Sequence, residues 1–142
     1  MAAGDFYFAI NATFRFFLEK YGEEALTRYW ESLGEDYYAP LSQRFKAGSL
    51  DEVEKYWREF FEREPGGEVD VTQTDGRVEI EVRDCPAIRW LRENNREIVP
   101  CYCRHCHHVS TAIASKAGLE FLLEGGGGAC RQSFLPATES PK

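Results

Sequence analysis

No stretch of this 142-residue chain approaches the roughly 20 consecutive apolar residues of a membrane-spanning helix. The beginning of the chain has no basic segment, apolar core and small-residue cleavage site of a secretory signal. A cytoplasmic location is therefore expected, where thiols stay reduced and clustered cysteines more often bind metal or do chemistry than pair as disulfides. Five cysteines, an odd number, also cannot pair off completely within one chain. Basic residues are in deficit as well. With 17 Lys+Arg against 24 Asp+Glu the net charge is -7, and the cations form no stripe, which argues against a phosphate-backbone binder. No solenoid repeat is visible, and no linker divides the chain. The glycine run Gly125 to Gly128 is not followed by the Lys-Ser/Thr of a phosphate-binding loop, so a flexible hairpin connection is expected there. Ser110 and Thr111 stand near histidines but lack the glycine-flanked elbow of a serine hydrolase.

What the chain has is the balance of a folded globule: 43% hydrophobic, 14% aromatic and 29% charged residues. Phe6, Ile10, Phe14, Phe17, Leu18 and Tyr21 recur at helical spacing, with Asp5 placed to cap the N-terminus. Gly22 interrupts, and Leu26, Tyr29, Trp30 and Leu33 continue a second helix up to Gly34. The segment around Pro40 is predicted as a loop or short helical turn. Ser49-Leu50-Asp51-Glu52 is a capping box opening a helix with a Val53, Tyr56, Trp57, Phe60, Phe61 face, stopped by Pro65-Gly66-Gly67. The aromatic faces are expected to form core, with part of them available to line a pocket.

After that stop the period changes to two. Val69 and Val71, then Val78, Ile80 and Val82, flank Asp75-Gly76 and predict a β-hairpin. Pro86 starts a short helix carrying Ile88, Trp90 and Leu91. A further helix, VSTAIASKAG, ends at Gly118, and the segments GLEFLLE and ACRQSFL predict a second hairpin on which Glu120 and Glu124 are solvated. The expected fold is α+β: an antiparallel sheet of two β-hairpins packed against N-terminal and central helices. It forms a single domain over residues 1–134, with a disordered tail over 135–142.

The most unusual stretch is CYCRHCHH, Cys101 to His108, which holds three of the five cysteines and all three histidines. Cys103-x-x-Cys106 is a two-thiolate chelating pitch, here expected in a loop leading to a helix. Two thiolates do not complete a tetrahedral site. If the hairpins share one sheet, Cys85 and Cys130 supply the missing ligands, with Cys101 or His107 as substitutes. Sulfur-rich ligation favours zinc or an iron–sulfur cluster. A metal-free reactive thiol at Cys106, near a helix N-terminus, and a purely structural cluster are the competing readings.

The arrangement resembles a known family. Asp84-Cys85-Pro86 at a hairpin end, Cys103-x-x-Cys106, the closing Gly127 through Cys130 to Phe134, and Lys20-Tyr21-Gly22-Glu23-Glu24 are similar to motifs of the L-2-amino-thiazoline-4-carboxylic acid hydrolase-like family. More distantly the layout is similar to 4-vinyl-reductase-type small-molecule-binding domains, which also use a late cysteine set for metal. The resemblance implies a metal-dependent hydrolase opening a cyclic amidine, with metal-bound water as nucleophile, His107 or His108 as proton shuttle and Arg131 holding a substrate carboxylate. Two alternatives stand beside it. One is a non-catalytic sensor domain in which a structural metal staples the loop and an aromatic pocket between helices and sheet binds an apolar ligand. The other is a redox iron–sulfur protein. In each case the expected partner is a small molecule rather than nucleic acid or membrane, and a homodimer is an assembly open to the chain.

Overall fold

The computed structural model describes residues 3–138. Helix α1 (Ala3–Tyr21) and helix α2 (Glu23–Ser32) are separated by Gly22, whose φ of 89° lets the chain turn where a side chain would strain it. Asp5 lies inside the first turn of α1 rather than ahead of it. A π-helical turn, Leu33–Tyr37, then leads into helix α3 (Ala39–Arg63). The segment around Pro40 is thus helical, not a loop, because Pro40 occupies one of the first two helical positions, where its missing N–H is no loss.

The break expected at Ser49 is present as a kink: φ 56° and ψ −156° interrupt α3 without ending it. Glu52 pairs with Arg44 across the kink. Strands β1 (Glu68–Thr74) and β2 (Arg77–Asp84) form the first hairpin. Asp75 and Gly76 both have positive φ, the requirement of a tight two-residue turn that follows the sheet's own twist. Helix α4 (Pro86–Glu93), helix α5 (Arg104–Lys116) and the second hairpin, β3 (Leu119–Gly126) and β4 (Ala129–Pro136), follow.

The two hairpins share one antiparallel sheet in the order β1-β2-β4-β3, and the fold is α+β as expected. Register keeps one face apolar: Val78 lies opposite Phe134, Ile80 opposite Gln132 and Val82 opposite Cys130, with Phe121 and Leu123 continuing the rows on β3. Leu135 and Pro136, expected in a disordered tail, belong to β4, and residues 139–142 lie outside the described residues. No described helix is long and apolar enough to cross a membrane.

Two apolar clusters result. The first joins the sheet to α3 and the C-terminal half of α5 through Phe45, Val53, Ile80, Ile113 and Phe134. The second joins α1, α2, α4 and the turn before α5 through Phe14, Leu26, Trp30, Leu91 and Tyr102. Buried polar links fix α5 and its approach. Ser42 Oγ donates to the Ile113 carbonyl at 3.0 Å. Buried Asn11 on α1 donates to the Glu97 carbonyl at 2.8 Å and accepts from the Val99 N–H at 3.0 Å. Both ends of its amide are satisfied, so the connection into α5 is tied to α1 rather than left loose.

Gly34, read from sequence as a helix stop, is instead a packing contact. A Cβ built there would lie 2.5 Å from the Ala112 Cβ and 2.6 Å from the Val109 carbonyl oxygen. Gly34→Ala is expected to push the π-helical turn off α5 and to destabilise the fold by about 1–3 kcal/mol. Urea unfolding with an unchanged midpoint would contradict this contact.

Candidate functional site

Between the two clusters lies a cavity of about 490 Å³. Its floor is one end of the sheet, where Val82, Cys130 and Gly125 form a cross-strand row. Gly125 contributes no side chain, and its φ of 94° together with the Ala129 carbonyl, 2.7 Å from a hypothetical Cβ, leaves no room for one. The walls are α1 (Tyr7, Ile10, Phe14), the end of α3 (Trp57, Phe60, Phe61), the start of α4 and the inner face of α5. Leu33, which opens the π-helical turn, and Tyr38, which follows it, also reach the cavity.

Helix α5 begins at Arg104, five residues earlier than VSTAIASKAG indicated. The turn before it is bonded through Tyr102 N–H to the Val99 carbonyl (3.0 Å) and Arg104 N–H to the Cys101 carbonyl (3.0 Å), so the chain enters the helix already wound. Cys106 and all three histidines are therefore helical, not in a loop. Helical phase then separates them: His105, Cys106, Val109, Ser110 and Ile113 line the cavity, whereas His107 and His108 do not. His107 is exposed, and His108 stacks on Trp30 with centroids 5.7 Å apart and planes at 15°. The two line only a shallow outer depression with Cys103 and Arg104. Neither is placed to shuttle a proton in the cavity.

Four of the five cysteines, Cys85, Cys103, Cys106 and Cys130, face this cavity, while Cys101 is buried in the second cluster. The Asp84-Cys85-Pro86 and Gly127–Phe134 motifs do meet at one place. A backbone bond from Cys85 N–H to the Gly128 carbonyl (2.8 Å) and a side-chain bond from the Arg92 guanidinium to the Gly127 carbonyl (2.7 Å) hold them there. They do not form a metal centre. Among the described residues, no group of three or more His, Cys, Asp or Glu side chains is arranged so as to hold a metal ion.

Each sulfur has its own hydrogen-bond partner. Gly127 N–H donates to Cys103 Sγ at 3.4 Å, and Gln132 Nε2 donates to Cys130 Sγ at 3.5 Å. The Ala87 and Ile88 N–H groups bond Cys85. The metal-binding reading is thereby overturned, and with it the metal-water hydrolase, the metal-stapled sensor and the iron–sulfur alternative.

His105 and Cys106 form a pair whose protonation the surroundings dictate. His105 Nδ1 is bonded to the Tyr102 carbonyl, which can only accept, so the ring proton sits there. His105 Nε2 is then a lone-pair acceptor, and the Cys106 thiol donates to it at 3.6 Å. Burial pushes the Cys106 thiol up to about 11 and lowers His105 below its ordinary range. The apolar enclosure thus keeps both partners neutral and disfavours a thiolate–imidazolium pair. Cys85 is likewise pushed up to about 11, by burial first, and Cys130 is raised for the same reason. Cys85, Cys106 and Cys130 are thereby held as neutral thiols.

Arg131 is exposed and is not among the cavity-lining residues. Strand alternation puts it on the sheet face opposite Cys130 and Gln132, between Glu81 of β2 and Glu124 of β3. It is not placed to hold a carboxylate in the cavity. The sequence reading did not single out Glu64 and His105. Glu64 follows the last residue of α3 and reaches the cavity, where Tyr7 donates its hydroxyl to the Glu64 carboxylate. His105 would have been found had the helix been started at Arg104, since the steps from His105 to Ile113 are one, three, one and three. No family model matches the chain, and no curated protein matches it.

At pH 7.5 the native Cys85 and Cys106 thiols should react with iodoacetamide at least about a hundredfold more slowly than in urea-unfolded protein, the ratio a two-unit rise in pKa implies. Peptide mass spectrometry reads this site by site, and native rates within a few-fold of the unfolded ones would contradict it. Both protons are held more tightly in the folded state, so their contribution to stability is present below about pH 9 and is lost as pH rises through about 11.

Proposed function

We propose that this domain binds a small, largely apolar organic molecule in the cavity between its sheet and its helices. The observation that carries the reading is the cavity itself: about 490 Å³, within the range of small-molecule sites, with a lining dominated by aromatic and aliphatic side chains. The few polar groups facing it are spread out rather than assembled. Ser110 and Gln132 are buried single contacts, and the His105–Cys106 pair is neutral. Such a lining gives affinity by removing apolar ligand surface from water, at about 25 cal/mol per Å² before ordering costs, and by ring–ring contacts. It offers no assembled nucleophile, base and oxyanion donor, so binding is the function best supported. The sulfurs act in this reading as soft, polarisable wall.

A neutral fluorescent probe, N-phenyl-1-naphthylamine, should bind the wild-type protein saturably with one site, an affinity near micromolar and enhanced emission. Leu123→Trp and Val109→Trp, both cavity-lining and only half-buried, fill the space from two sides and should each weaken binding at least about tenfold while the circular dichroism stays native. No saturable binding by folded wild type, or equal binding by both filled variants, would overturn the proposal.

A further inference from the structure

Among the described residues, Glu64 is the only acidic side chain lining the cavity, and no Lys, Arg or Asp lines it. From this we infer that the ligand is an organic amine or quaternary ammonium, an apolar body carrying one positively charged nitrogen, with Glu64 as its counter-charge. The inference rests on the cavity being a binding site and adds the charge of what it binds.

The Glu64 carboxylate is half-buried, and its side-chain partner is the Tyr7 hydroxyl, a neutral donor. It takes part in none of the described ion pairs, which lie on the outer surface of the helices and hairpins. The neighbouring cation, Arg63, is exposed and does not line the cavity. Burial raises the Glu64 carboxyl above its ordinary value, the mark of an acid without a compensating charge.

Two further features favour a cation at this spot. Glu64 stands at the C-terminal end of α3, where the helix dipole presents its negative end. The rings around that end of the cavity are Tyr7, Trp57, Phe60 and Phe61, whose π faces attract a desolvated ammonium. An anionic ligand would instead meet a carboxylate with no basic residue to offset it. The chain's net charge of -7 also biases encounter toward cations.

The test uses three ligands with one apolar body: 1-naphthylmethylamine (cation), 1-naphthylmethanol (neutral) and 1-naphthoate (anion), each competed against N-phenyl-1-naphthylamine. In wild type the amine should bind at least about tenfold tighter than the alcohol, with the acid weakest. In Glu64→Gln, with native circular dichroism, the amine and alcohol should come within about twofold of each other. Equal binding of amine and alcohol in wild type, or an amine advantage that survives in Glu64→Gln, would overturn the inference while leaving the cavity reading intact. Failure of the neutral probe to bind at all would remove the cavity reading instead.

Discussion

The structure depends on how α5 is held. Its C-terminal half belongs to the sheet's core through Ile113 and Ala114, while the turn leading into it belongs to the other core through Val99, Cys101 and Tyr102. One rigid helix therefore serves two apolar clusters, and Val109 touches both. Gly34 against Ala112 and Ser42 against the Ile113 carbonyl fix its position on one side, and Asn11 anchors its approach on the other. A helix pinned in this way cannot settle fully onto either partner along its first turns. The space it leaves is the cavity.

Polarity within that space follows from the same placement. Enclosure raises the thiols and lowers His105, so that groups which in water would titrate near neutrality stay uncharged. Glu64 is the exception. It enters where α3 ends, is met by a single neutral hydroxyl, and gives an otherwise apolar chamber one polar direction. A cavity with that character would discriminate among small molecules by shape and by the sign of one charge.

Much of the fold was legible in the sequence. The period-two pattern around Asp75-Gly76 has one structural solution when both turn residues take positive φ, and the hairpin forms there. The Ser49 signal located a real discontinuity, although the helix resumes at once and the result is a kink. Other features were not legible because their cause is tertiary. Gly34 looks like punctuation in one dimension and is a close contact in three. The first turn of α5 carries cysteines and histidines of weak helical preference, and it is held helical by backbone bonds from the preceding turn. The convergence of Cys85, Cys103, Cys106 and Cys130 on one chamber was foreseeable from the hairpins sharing a sheet. That each sulfur would face a different partner was not, since it depends on where Gly127, Gln132 and His105 fall.

An apolar chamber lies between the two cores. Apolar cavities of this kind take up xenon, whereas polar, water-filled ones do not. Diffraction from xenon-pressurised crystals therefore tests the claim most directly. The account predicts xenon peaks bounded by Phe14, Trp57, Val109 and Cys130. A chamber collapsed by contact between α5 and the floor of the sheet, or one filled with ordered water and free of xenon, would contradict it.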